Sequence, residues 1–163
     1  MVEIRDGKIE DIPQVFELVN ELAVYEKAPH EVDNSIEEMI KDGFGDNPSF
    51  GLIVAEDTSI NKIIGIVIHY IRYSTWKGRC LYLEDLIVTE KRRGEGHGLK
   101  LFNAYVEKGQ QLGVNQMMWQ VLDWNTPAIE FYKKLGANIE TEWYNCKLEK
   151  DGIETFFNNK ATK

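Results

Sequence analysis

The stretch that most limits what this chain can fold into runs from residue 81 to residue 102. It begins Leu81-Tyr82-Leu83-Glu84-Asp85-Leu86-Ile87-Val88, an apolar run of strand length broken by two adjacent carboxylates. It continues through Thr89-Glu90-Lys91-Arg92-Arg93-Gly94-Glu95-Gly96-His97-Gly98 into a segment with Leu99, Phe102 and Val106 at helical spacing. A strand that enters a helix through a basic, glycine-rich turn is a ready anion site. The first helical amides lack intrahelical acceptors and carry the positive end of the helix dipole. Gly94, Gly96 and Gly98 would let a phosphate approach that backbone closely. Two other glycine motifs are excluded, because there is no Gly-Lys-Ser/Thr ending and Leu99 stands where a dinucleotide fingerprint needs its third glycine.

The rest of the chain arranges itself around this unit. Residues 2–5 alternate as a first strand, and Ile12, Val15, Phe16, Val19, Leu22 and Ala23 predict a helix to about residue 26, with Pro13 tolerated in its first turn. A short helix over 35–42 ends at Gly43, and 50–56 and 63–73 read as a hairpin. After the helix at 99–111 come a strand over 116–122 and a helix begun at Thr126-Pro127, with Thr126 as its N-cap, and closed by Lys133-Lys134-Leu135-Gly136. Two last strands are expected near 140–148 and 153–158. The order is mixed α/β, with antiparallel hairpins first and helical crossovers around the central strand.

Composition narrows the function classes. With 163 residues the chain has one domain's length, so a single domain over 1–163 is expected. No apolar run approaches the ~20 residues that span a bilayer, and Met1-Val2-Glu3-Ile4-Arg5-Asp6 lacks signal-peptide character, so no membrane partner is expected. A net charge of −8 argues against nucleic acid and favours cationic small molecules. Against that background, residues 91–100 hold Lys91, Arg92, Arg93 and Lys100 opposite only Glu95. Cys80 and Cys146 form no disulfide framework, and with His30, His69 and His97 scattered no metal site is expected; a reducing cytoplasm is the expected location.

Arg93-x-x-Gly96-x-Gly98 after a strand resembles the pyrophosphate loop of the GNAT superfamily of acyl-CoA-dependent N-acyltransferases, and the element order matches that family over essentially the whole chain. Further motifs resemble its spermidine/spermine N-acetyltransferase group, which includes close relatives acting on thialysine and other small primary amines. These are Tyr25-Glu26, Asp42-Gly43-Phe44-Gly45, Trp76-x-Gly78, Leu81-Tyr82-Leu83-Glu84-Asp85, Trp124-Asn125-x-Pro127 and Phe131-Tyr132-Lys133-x-x-Gly136-Ala137. The resemblance implies the GNAT fold, a mixed and mostly antiparallel sheet with a splayed, bulged central strand and flanking helices. It also implies acetyl-CoA as co-substrate, a small cationic amine as acceptor, direct attack in a ternary complex, and a homodimer with the last strands at its interface.

Acetyl transfer to an amine needs a neutral amine, a polarised carbonyl, a held co-substrate and a proton for the departing thiolate. By resemblance, Glu84 binds the ammonium and accepts its proton, and Tyr132 protonates the thiolate. The amides of Leu86, Ile87 and Val88 pair with pantetheine and polarise the acetyl carbonyl, and Asn125 bonds the pantetheine arm. Arg93, Gly94, Glu95, Gly96, His97, Gly98 and Leu99 line the pyrophosphate, while Tyr25, Glu26, Trp76 and Asp85 surround the acceptor. An ideal pleat sends Glu84 and Asp85 to opposite faces, and the family's bulge lets both approach the site. Glu84's apolar flanks predict that it is shielded from solvent, whereas His97 is expected to be solvent-exposed. Asp123 stands where polyamine-specific relatives commonly carry glutamate, and 138–145 departs most from their pattern, which leaves the acceptor open. Acetylation of protein lysines or N-termini and a non-catalytic acyl-CoA sensor are the alternatives; retention of Glu84 and Tyr132 favours a catalyst.

Overall fold

The alternating apolar runs become five strands of one sheet: β1 (Val2–Asp6), β2 (Gly51–Asp57), β3 (Lys62–Ser74), β4 (Gly78–Val88) and β5 (Gln116–Trp119), side by side in chain order. They are seen in a computed structural model that describes residues 1–160. Neighbours from β1 to β4 are antiparallel, while β5 runs parallel to β4 because α3 (His97–Gln111) carries the chain back between them. The sheet is therefore mixed and mostly antiparallel, as expected.

Its two faces are closed by different helices. Ile12, Val15 and Leu18 of α1 (Ile12–Tyr25) and Met39 of α2 (Ile36–Phe44) pack on Leu52, Val54, Ile66, Ile68 and Ile87. On α3, Tyr105 is wholly buried and donates its hydroxyl to the Leu81 carbonyl at 2.8 Å, and Phe102 meets Trp119 edge-on at 5.4 Å. The Ser35 hydroxyl caps α2 by accepting from the Glu38 amide at 3.2 Å. That helix runs through Gly43 to Phe44, since the missing side chain at Gly43 makes room for the Phe50 ring. β5 is shorter than the 116–122 expected, and its pairing with β4 ends at Leu83 opposite Trp119. Residues 84–88 of β4 thus have β3 on one side and, among the described residues, no strand on the other.

The described chain divides into two compact units, Met1–Gln120 and the residues from Val121 on. In the second, α4 (Thr126–Lys134) starts with Pro127 in its first turn and ends with Lys133, Lys134 and a left-handed Gly136. Its cap is Asn125, whose side chain accepts from the Ala128 amide at 3.4 Å, not Thr126. The two last strands expected at 140–148 and 153–158 are not formed. Residues 150–160 are instead α5 (Lys150–Lys160), because Ile153, Phe156 and Phe157 fit helical spacing as well as they fit a strand. Trp143, Tyr144 and Leu148 lie exposed, with no strand beside them among the described residues to supply ladder bonds.

Candidate active site

The two carboxylates of β4 sit at a break in the ladder. Ile68 faces Asp85 and His69 faces Leu83, so Glu84 is an extra residue without a partner, which is the expected bulge. Taken out of alternation, Glu84 shares its surroundings with Asp85 and also hydrogen-bonds with Tyr70. Asp85 is half-buried, and burial, with the charges of Glu84 and of Glu26 just past α1, pushes its carboxyl up to about 6. Partial burial raises Glu26 as well. Glu84 itself is solvent-exposed, which corrects the expectation from its apolar flanks: the bulge lifts it from the pleat where β5 has already turned away.

Beside the acids lies an aromatic floor absent from the sequence reading. Tyr70 and Tyr82 are cross-strand partners with rings 5.1 Å apart, and the Arg72 guanidinium lies 5.8 Å from the Tyr82 ring centre. Burial and then the charge of Glu84 raise both hydroxyls, while Arg72 opposes the shift. Alternation on β3 and β4 was the available signal for these residues, but strand tyrosines ordinarily read as packing. Trp76 is not brought to this place within the chain. It is 85% exposed in the turn joining β3 to β4, whose amides Trp76 and Lys77 donate to the Ser74 hydroxyl. From the His69–Leu83 pair to the Ser74–Gly78 pair the ladder runs five residue steps, about 17 Å.

The glycine turn presents bare backbone. Gly94 and Gly96 have φ of +80° and +81°, and a Cβ at Gly94, Gly96 or Gly98 would meet nothing within 4 Å. The Lys100 amide makes a turn-closing bond at 3.2 Å to the Gly96 carbonyl, so the amides of His97, Gly98 and Leu99 precede it. The turn is braced from behind: Arg92 pairs with Asp57 at 2.7 Å and with Glu95 at 3.0 Å, and Glu95 meets His97 Nε2 at 3.0 Å. His97 is 6% exposed, contrary to expectation, because as the first residue of α3 its ring turns in toward Glu95; its buried Nδ1 has no hydrogen-bond partner. Arg92 is thus engaged with acids, leaving Lys91 and Lys100 as exposed cations of the turn.

Arg93 ties this turn to α1. Its Nε donates to the Val88 carbonyl at 2.9 Å, and its guanidinium lies 4.8 Å from the Tyr25 ring centre. Tyr25 therefore packs with Arg93, beside Glu21, which accepts from the Thr89 hydroxyl at 2.9 Å and the Glu90 amide at 2.8 Å. No motif pointed to Glu21. Leu86, Ile87 and Val88 pair with Val67, Ile66 and Gly65 across β3 only, so β4 offers an open edge just before the turn. In the second unit Tyr132 is 7% exposed against the Phe131 ring, and burial pushes its hydroxyl up to about 12, so it is protonated at neutral pH.

The acetyltransferase (GNAT) family matches residues 12–137 of this chain. The protein belongs to that family. Thialysine N-epsilon-acetyltransferase of Bos taurus is 39% identical over 161 residues, covering 93% of this chain and 95% of the relative. The Homo sapiens spermidine/spermine N(1)-acetyltransferase-like protein 1 is 29% identical over 159 residues, 93% of this chain and 23% of that longer protein. An integron cassette protein from the mobile metagenome of V. cholerae shares the fold, with a TM-score of 0.77 at 22% identity over 96% of this chain and 97% of that one.

GNAT acetyltransferases take their acetyl group from acetyl-CoA, and the residues present fit it. Three glycines with open space where side chains would stand, and helix-start amides beyond them, suit a pyrophosphate. The bare edge of β4 suits an amide-bearing arm that completes a ladder. Among the described residues no three His, Cys, Asp or Glu gather as a metal site, and no helix is long and apolar enough to cross a membrane.

Proposed function

We propose that the protein transfers the acetyl group of acetyl-CoA to the primary amine of a small cationic acceptor, a polyamine, diamine or thialysine-like amine, by direct attack while both substrates are bound. The bulge at Glu84 carries this reading, since it sets two carboxylates beside an open strand edge immediately ahead of the glycine turn. Glu84 receives the ammonium, with Asp85 and Glu26 adding negative charge. The proton passes to the Glu84–Asp85 pair, and the neutral nitrogen attacks the thioester carbon. A C–N bond forms and the C–S bond breaks, while backbone N–H groups of Leu86 to Val88 steady the oxygen charge. Tyr132 gives its proton to the thiolate and is reprotonated by the second proton, which the nitrogen sheds as the amide forms. Arg93 and the glycine turn up to Leu99 hold the pyrophosphate, and Asn125 the pantetheine arm. Cys80 is wholly buried in the sheet, which disfavours it as an acyl carrier.

Both units are taken to serve one catalytic domain of a cytoplasmic homodimer. Exposed Trp143, Tyr144, Leu148, Phe156 and Phe157 form apolar surface that a second copy would cover; sedimentation at micromolar concentration as a single chain contradicts that. The activity is tested by thiol release from acetyl-CoA with spermidine, putrescine, thialysine and lysine. At least one amine is expected to release thiol in step with its acetylation, and Glu84→Gln and Tyr132→Phe each to lower kcat at least ~10-fold. Coenzyme binding without turnover on any of these amines overturns the reading.

A further inference from the structure

Past His69, the last β3 residue paired with β2, the strand runs on beside β4 alone. Ile68, Tyr70 and Arg72 share one face of it, and across the ladder stand Asp85, Tyr82 and Cys80. The two tyrosine rings form a strip with opposite charge at its two ends, Glu84 and Asp85 at one and Arg72 at the other. Arg72 leans over Tyr82, toward the bulge. Among the described residues its guanidinium donates only to the Met118 thioether, 3.8 Å away, which is a weak acceptor. Arg72 is exposed and makes no ion pair among the described residues, in a chain of net charge −8. A planar donor fork held on an aromatic ring and paired with no carboxylate among the described residues is suited to an incoming one.

We propose that Arg72 binds a carboxylate of the acceptor, so that the preferred acceptor is an amino acid with a side-chain amine and not a polyamine. This deepens the amine acetyltransferase reading and rests on it. The amine lies at Glu84 and Asp85, the methylene chain crosses Tyr70 and Tyr82, and the carboxylate meets Arg72. Asp85 stands opposite Ile68, four residues before Arg72, a backbone separation of about 13 Å that the Arg72 arm shortens by leaning back. A polyamine laid the same way would bring a second ammonium against the guanidinium, and that repulsion discriminates as much as the attraction does.

Matched acceptors isolate the carboxylate: lysine against cadaverine, and ornithine against putrescine. In the wild type, kcat/KM is expected to favour the amino acid of each pair by at least about tenfold. Arg72→Met should remove most of that preference, chiefly by raising KM for the amino acid, with the diamine unchanged or improved, and Arg72→Lys should restore part of it. Equal rates within each pair, a wild-type preference for the diamine, or an equal loss for both members in Arg72→Met overturns the assignment. If no amine consumes acetyl-CoA, the reaction reading fails separately, and calorimetry still decides the contact. Lysine binding lost in Arg72→Met supports it, and equal lysine binding by wild type and variant overturns it.

Discussion

Asp85 is a carboxyl group whose surroundings oppose its charge, and that opposition has a measurable sign. Its folded value of about 6 lies above the ordinary carboxylate range, so between about pH 4 and 6 the folded state holds a proton that the unfolded chain has released. Stability therefore falls as pH rises through that window, by an amount on the order of 2–3 kcal/mol once Asp85 is ionised. Asp85→Asn should melt higher than wild type above pH 6 and lose this slope, while acetylating more slowly. Identical melting profiles from pH 4 to 7 contradict the assignment. The pair of acids was legible as two carboxylates in an apolar run; which one is sheltered was not, because that depends on the bulge and on where β5 leaves β4. The direction of His97 was likewise hidden, since glycine spacing constrains the backbone and is silent about a ring drawn to Glu95.

At the scale of elements, the turn from β4 into α3 is local and was readable as such. Its bracing was not, because Asp57 and Arg92 are far apart in sequence. The two inner glycines separate strain from space. Gly96 has a positive φ, so any side chain there strains the backbone, whereas Gly98 has no positive φ and open space beside it. Gly98→Val should keep its melting temperature close to wild type and weaken acetyl-CoA at least about tenfold, because the β-branched side chain fills the approach to the helix-start amides. Calorimetry showing wild-type affinity in folded Gly98→Val contradicts this. The C-terminal elements were misread for a physical reason: Ile153, Phe156 and Phe157 satisfy both periods, and a strand at 140–148 needs a neighbour that sequence spacing does not supply.

Across the whole molecule, the order of hairpins and crossovers was enough to foresee a mixed sheet, since short turns force antiparallel neighbours and a helix between β4 and β5 makes them parallel. The aromatic strip and Arg72 depend on how far β3 extends past β2, which no motif encodes. Carboxylates at the bulge, the open β4 edge and the glycine turn succeed one another along a single strand and its exit, so amine and thioester can be held at once with no covalent intermediate. Initial rates of thiol release over a grid of acetyl-CoA and amine concentrations test that claim most directly. Intersecting double-reciprocal lines, with acetylated amine formed in step with free thiol, are the expected result; parallel lines, or thiol release without acetylated amine, contradict it.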